Sequence, residues 1–474
     1  MTLGRRRFLQ WSAAVAGPFV ARTALGGPQI GASDSTDPVV VVGAGLAGLH
    51  AASFIREAGR RVVVLEARGA PGGRVQTIRA PFEAGQHAEA GPIRIAASHT
   101  TVLQLVQAHG LELVPFESSN GAALVTIGKL SVRADALKES RLPLRLRPDE
   151  QGLSQGALLE RYVGPLAPEL AELTPSAVRW ARWAPYDRVA WPEWLRARGA
   201  SDGAVTLMTL GGDSSELSAL YVLRQYAMLG GTTQFYKIRG GMDQLPRAMA
   251  AALGDVVRYD AAVVAIEQTA DAVRVDYAEA GRRQSLRASR VIFAIPFSTL
   301  GRIDISPAFS SFRRAAINEL PYFPATRVLL QARTRFWHGL GLSGRARTDA
   351  PAEMWDCTYD QEGTPGILGA TMRDPAGAET SPDAALRAGR TVVARAFPGI
   401  QSAFTRGVAH SWAREPWSRG AFAVFHPGQM AAMMPDIARP EGRVHFAGEH
   451  TAGWMGWMEG ALESGERAAR EVLT

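Results

Sequence analysis

The chain has 474 residues, 46% hydrophobic, 20% charged and 8% aromatic. That is the balance of a globular protein large enough for two or more domains, and it excludes collagen-like, wholly disordered and disulfide-scaffold classes. The formal net charge is +7, but Arg5, Arg6, Arg7 and Arg22 precede the first acidic residue, Asp34, and the remaining surplus forms no basic tract, which argues against a nucleic-acid partner.

No apolar run is long enough to span a bilayer as a mature helix, so stable membrane insertion is not expected. Lys129, Lys138 and Lys237 are the only lysines, so almost every basic residue is arginine. The single cysteine, Cys357, can form no internal disulfide and reads as a structural thiol. No metal-ligand cluster stands out: His445 and His450 flank a glycine-rich loop at a spacing that puts one in a strand and one in a turn.

In chain order, residues 1–32 combine a basic cluster, a short apolar stretch and small residues, the layout of an export signal. Arg5-Arg6-Arg7-Phe8-Leu9 resembles the twin-arginine pattern, with Gly4 where Ser or Thr is usual. That resemblance implies export to the periplasm or beyond the cell. Next, VVVVGAGLAGLHAASFIREAGRRVVVLEARGAPGGR reads as strand, glycine turn, amphipathic helix and second strand, a βαβ unit. Gly43, Gly45 and Gly48 form GxGxxG where a dinucleotide fingerprint requires it. The first permits the tight turn, the second admits the pyrophosphate, and the third lets helix and sheet approach. Glu66, closing the second strand, stands where an acid meets the adenosine ribose.

The following Gly72-Gly73-Arg74 resembles the GG-R element of the FAD-dependent amine oxidases. The C-terminal RVHFAGEHTAGWMGWMEGALESGERAAREV is similar to that family's second FAD segment, and the stretch from Lys237 to Pro296 to its middle segment. The resemblance spans residues 36–474. It implies an α/β fold with a discontinuous GR2-type FAD-binding Rossmann domain in three pieces, 36–73, 236–310 and 436–474. A substrate domain with an antiparallel sheet (74–139 and 311–435) and a helical insertion (140–235) would complete it. By the same resemblance Arg68, Arg74, Val263, Gly448 and Glu449 would contact FAD, Val263 on the adenine side. The EHTAGW loop has no cysteine to tether flavin, so FAD should be noncovalent.

Glu89-Ala90-Gly91-Pro92-Ile93-Arg94, followed by a helix-like AASHTTVLQLVQAHGLEL, resembles the GPxR of the L-amino-acid oxidases. There the arginine fork holds the substrate carboxylate, and Gly91, Pro92 and Ile93 would border the cofactor. Trp180, Trp183, Trp191 and Trp194 crowd the helical insertion, where they could line an aromatic pocket or fill a helix core. Arg327 stands where the family usually has a lysine that positions a water near the flavin. Some relatives carry a tyrosine that helps bind the carboxylate near the position of GILGATMRD, and Thr371 is the nearest match to it here. Trp412 and Trp417 resemble the family's W-x-x-x-P-W segment, and Gly456, Trp457 and Met458 the aromatic wall beside the flavin.

The resemblance therefore implies an L-amino-acid oxidase. The substrate carboxylate would bind Arg94, with the neutral amine near the Gly456 carbonyl and the Trp457 ring. Products would be a 2-oxo acid, ammonia and, with oxygen as acceptor, hydrogen peroxide. An amine or polyamine oxidase, an amide-forming amino-acid monooxygenase, a dehydrogenase using another acceptor and a flavoprotein without turnover remain open, and a homodimer is compatible with the family.

Overall fold

Strand Val39–Val42 lies at the centre of a five-stranded sheet whose order is Val257–Arg258, Val62–Leu65, Val39–Val42, Arg290–Phe293 and Val444–Phe446. All four pairings are parallel. Three distant stretches of chain supply these strands, which is the discontinuous α/β fold expected. The computed structural model describes residues 37–474 except 117–120, 138–141, 174–177, 213, 233, 351 and 374–380. The export-signal reading of residues 1–32 lies outside the described residues.

The central strands are valine-rich and buried on both faces, as a parallel sheet between two layers requires. On one side the helices Leu46–Glu57 and Met458–Leu473 pack together, so closely that a Cβ on Gly465 would lie 2.3 Å from the Ala47 carbonyl oxygen. The helix Gln244–Leu253 joins the same core through Leu245, Met249 and Leu253. A four-stranded sheet, ordered Arg282–Ala288, Val273–Glu279, Ala261–Gln268 and Asp304–Ser306, buries Ile266, Val273 and Val275 in the core that also receives Val40, Val42 and Phe293.

The larger sheet has seven strands: Phe404–Ser411, Ala325–Ala332, Gly366–Arg373, Ala352–Asp356, Leu342–Thr348, Ala122–Ile127 and Leu130–Arg133. The expectation of an antiparallel sheet needs one correction, because Leu342–Thr348 and Ala122–Ile127 run parallel. A long stretch of chain separates those two strands, so no hairpin dictates their relative direction.

Two further differences have tertiary causes. The helix-like stretch after Arg94 is a strand at Ile95–Ala96, a helix only over Thr100–Ala108, and a strand at Leu113–Pro115. The helix starts where it does because the Glu459 carboxylate accepts the amides of Thr101 and Val102, both at 2.9 Å, from the C-terminal helix. Val102 and Val106 then pack in the core of the parallel sheet rather than against the seven-stranded one. In the helical insertion, Trp183, Trp191 and Trp194 are buried, with the last two stacked at 5.3 Å, so helix-core packing accounts for them. Among the described residues no helix is long and apolar enough to cross a membrane.

Candidate active site

The glycine turn shapes one wall of the site. Gly43 has φ +103°, a conformation that favours glycine, and it turns the chain from the strand Val39–Val42 into the helix beginning at Leu46. A Cβ on Gly48 would meet the Gly43 carbonyl oxygen at 1.9 Å, so helix and turn touch backbone to backbone. A Cβ on Gly45 would meet nothing within 4 Å, which leaves open space at the helix N-terminus. The Gly72 amide donates to the Ala44 carbonyl at 2.9 Å, and Gly73 sits beside Gly45. Successive amides at a positive helix end thus border an open space, a cradle for a pyrophosphate.

Glu66 organises this cradle from within. Its carboxylate accepts the amides of Ala44 at 2.7 Å and Arg68 at 2.9 Å, while the Arg68 guanidinium donates to the Gly73 carbonyl at 2.6 Å. Burial pushes the Glu66 carboxyl up, against the lowering effect of those amides. Arg74 reaches across to the C-terminal segment, donating to Glu449 at 2.6 Å and to the Ala421 carbonyl at 3.2 Å. The same Glu449 carboxylate accepts the amides of Ala423 at 3.0 Å and Gly456 at 2.8 Å. Glu449 is therefore the junction that ties the first FAD-like segment to the loop carrying Gly456 and Trp457.

These groups border one cavity of about 750 Å³, within the range of cofactor and substrate sites. Gly43, Gly45, Glu66, Arg68, Gly72, Gly73, Arg74 and Val263 line it, as do Gly448, Glu449 and Met458. So do Gly91, Pro92, Ile93, Arg94, Arg327, Trp412, Trp417, Gly456 and Trp457. Of the residues nominated from sequence, Gly48 alone lies off the lining, held behind it by its contact with Gly43. An elongated dinucleotide fits this lining: glycine backbone at a helix end, an acid and two arginines, then an apolar and aromatic stretch. Cys357, the chain's one cysteine, is buried away from the lining.

At the other end of the nominated set, Arg94 enters the cavity from a loop beside the strand Ile95–Ala96. Its guanidinium packs over the Phe235 ring at 4.9 Å and faces Glu353 at 3.7 Å, a loose ion pair longer than a hydrogen bond. Arg327 behaves differently. It donates to the carbonyls of Ala90 at 3.2 Å and Gly91 at 2.8 Å and to the Thr371 hydroxyl, with its guanidinium over the Trp355 ring. Desolvation lowers it to about 10. Arg327 thus braces the backbone of the segment that presents Arg94. The Trp412 indole donates to the same Ala90 carbonyl at 2.8 Å.

The Trp457 wall is held from the helical insertion. Gln225 accepts the Trp457 indole N–H at 2.8 Å and donates to the Met455 carbonyl at 2.9 Å, while Glu463 accepts the Gly453 amide at 3.1 Å. His99 meets the edges or faces of Trp454 and Trp457 at 4.7 and 4.9 Å, and burial pulls its imidazole down to about 4, so it is neutral. Tyr221 and Phe422 add to the lining near Gly456. Sequence reasoning missed Glu353, Gln225, Tyr221 and Phe422. None stands in a motif, and each reaches the cavity only through the packing of separate elements. His445 lies in the last strand of the parallel sheet and His450 in the short 3-10 helix Glu449–Thr451, where a turn was expected. Among the described residues no group of three or more His, Cys, Asp or Glu is placed to hold a metal.

Known proteins match this arrangement. The profile of the flavin containing amine oxidoreductase family matches residues 46–473. A Bacillus subtilis (strain 168) protein provisionally named L-amino-acid oxidase is 31% identical over 461 residues, covering 94% of this chain and 96% of its own. An L-amino-acid oxidase of Pseudechis australis is 30% identical over 450 residues, covering 92% and 86%. The solved structure of putrescine oxidase bound to putrescine superposes with a TM-score of 0.77 at 25% identity, over 92% of this chain and 99% of its own. Cyclohexylamine oxidase from Brevibacterium oxydans shares the fold with a TM-score of 0.78 at 24% identity, over 92% and 98%.

Proposed function

The chain belongs to the flavin-containing amine oxidoreductases, FAD enzymes acting on CH–NH2 donors, and from that premise we propose that its substrate is an L-amino acid. Oxidative deamination would give the 2-oxo acid and ammonia, with oxygen reduced to hydrogen peroxide. FAD supplies the electron-pair acceptor for this reaction when bound.

The carrying observation is Arg94: a guanidinium steadied by the Phe235 ring, only loosely paired, and turned into the same cavity as the flavin-cradle residues. A fork of N–H donors there suits a substrate carboxylate. Arg327 holds the preceding carbonyls, so Arg94 is presented from a braced loop and its position costs little reorganisation on binding. Trp457 and Phe422 give the amine end an aromatic, water-poor wall. Glu449 and Gln225 hold that wall in place, and a neutral amine would bind near the Gly456 carbonyl. The names of the curated relatives, L-amino-acid oxidases at 30–31% identity, support the same reading.

A second reading, a simple amine as substrate with Arg94 as a structural cation, draws on the likeness to putrescine oxidase. One experiment separates the two. The flavin-loaded enzyme is mixed anaerobically with L-amino acids, D-amino acids and simple amines, and bleaching of the oxidised flavin band is followed before air is admitted. Bleaching by L-amino acids supports the proposal, bleaching by amines alone refutes it, and the recovery rate in air tests oxygen as acceptor. We further propose that residues 1–32 direct twin-arginine export. Retention of an Arg5→Lys, Arg6→Lys variant in the cytoplasm, with the parent chain outside it, is the expected result.

A further inference from the structure

One polar row crosses the cavity-facing side of the seven-stranded sheet. Arg327 pairs in register with His410 on one side and Thr371 on the other; Thr371 pairs with Glu353, and Glu353 with Arg347. Directly paired residues of neighbouring strands share a face, so these five side chains stand side by side. Glu353 is the one acid among them. It faces Arg94 at 3.7 Å and Arg347 at 3.8 Å, neither close enough for a hydrogen bond. Both Arg94 and Glu353 line the cavity, with about a quarter of each side chain exposed (24% and 25%), so a ligand reaches both. Burial pushes the Glu353 carboxyl up, but Arg94, Arg347, Arg345 and Arg327 together hold it below the usual carboxylate range, so it is ionised.

A carboxylate hydrogen-bonded to the Arg94 guanidinium nitrogen that faces Glu353 sits about 3 Å from it. That carboxylate is then no more than about 7 Å from the Glu353 oxygen, given the 3.7 Å between Arg94 and Glu353. Two anions at that separation in a partly exposed site repel enough to weaken binding by roughly tenfold or more. Glu353 is not needed to fix the arginine by hydrogen bonding, because Phe235 packs on the guanidinium and the Arg94–Glu353 contact is too long for one.

We propose that Glu353 is a built-in counter-charge that limits how tightly Arg94 holds a carboxylate. The inference rests on the reading of Arg94 as the carboxylate anchor. It gives the site a distinct property: substrate and 2-oxo acid product share that carboxylate, and both are held weakly enough for the product to leave.

The test uses flavin-loaded enzyme and calorimetric titration with 4-methylpentanoate and with its uncharged partner 4-methylpentanamide. Neither ligand carries an amine to be oxidised. Glu353→Gln should bind the carboxylate about tenfold tighter than the parent while its affinity for the amide is unchanged, and Glu353→Asp, which keeps the charge, should not. Glu353→Ala serves the same purpose as the Gln variant if the latter fails to load FAD. Arg94→Gln should lose the carboxylate selectively. If Arg94→Gln keeps it, the anchor reading fails. If Arg94→Gln loses it but Glu353→Gln binds the carboxylate no tighter, or more weakly, the counter-charge proposal is overturned.

Discussion

Two single-methyl changes in the glycine turn should weaken FAD binding by different routes, one through the fold and one through the cofactor space. In Gly48→Ala the new Cβ falls 1.9 Å from the Gly43 carbonyl oxygen and 3.1 Å from its carbon. Ordinary contacts begin near 3.4 Å, so turn and helix must separate by more than an ångström, and the obstacle is backbone, which no rotamer relieves. With backbone as the obstacle, overpacking of this kind falls towards the upper end of about 1–3 kcal/mol, so the gain of about 1 kcal/mol in helix propensity offsets only part of it. The apoprotein should melt a few degrees lower and take up less FAD. Gly45 has φ −75°, which alanine adopts freely, and its Cβ meets nothing within 4 Å. Gly45→Ala should therefore leave apoprotein stability within about 0.5 kcal/mol. Its methyl nonetheless occupies the space beside the helix end, so the FAD dissociation constant should rise by roughly tenfold, about 1.4 kcal/mol. Scanning calorimetry of the apoproteins and FAD titration by flavin fluorescence measure both quantities. Equal loss of apoprotein stability in the two variants, or parental FAD affinity in Gly45→Ala, would refute the assignment of Gly45 to cofactor access and Gly48 to helix packing.

Glu449→Gln removes the charge opposite Arg74 while keeping the shape of the side chain. Because Arg74 is 20% exposed, the expected destabilisation is about 2–4 kcal/mol rather than the full cost of a wholly buried orphan, read by urea unfolding of the apoprotein. Arg327→Lys keeps the charge but loses the fork that braces both the Ala90 and Gly91 carbonyls. The Michaelis constant for the L-amino acid should rise about tenfold with a smaller change in kcat, as a loosened Arg94 loop requires. An unchanged Michaelis constant would show that the brace does not act on Arg94. Stability should also depend on pH. Burial holds His99 and His87 at about 4, below the value of 6.5 expected when unfolded. The unfolded chain therefore binds protons between pH 6.5 and 4 that the native protein refuses. The contribution is fully present above pH 6.5 and is lost as pH falls, by up to about 1.4 kcal/mol per pH unit for each histidine. Urea midpoints at pH 7.5 and 5.0 test this, and a flat profile would contradict it.

What could be read from the amino-acid order alone is what local backbone physics enforces. Gly43, Gly45 and Gly48 declare a strand–turn–helix: a positive φ at Gly43 and a backbone contact at Gly48 leave no room for a side chain, and Gly45 keeps the approach to the helix end open. Glu66, the Gly72-Gly73-Arg74 element and the C-terminal loop lie at short, regular distances from strands that are apolar over their whole length. For the same reason the βαβ unit and the glycine-rich part of the cavity lining were legible in the sequence, whereas the edge strand Val257–Arg258 was not. Arg94 was legible as a candidate from its GPxR context, but its environment was not. Glu353, Gln225 and His99 carry no motif, and the Trp183–Trp194 cluster fitted a pocket as well as a core. That Arg327 braces the Ala90 and Gly91 carbonyls could not be read from its place in the sequence.

Tertiary structure decided these points because cross-strand register and helix packing join residues far apart in the chain. Pairing across three strands sets Glu353 in the row of Arg327 and Thr371, and the docking of the helix Ala219–Leu229 brings Gln225 to Trp457. A linear pattern encodes which face a side chain takes; it does not encode which distant face it meets. The sequence thus determined that the chain builds a dinucleotide-type glycine turn and named a guanidinium that the fold places on the cavity lining. The assembled sheets decided how that guanidinium is braced, and which carboxylate opposes it.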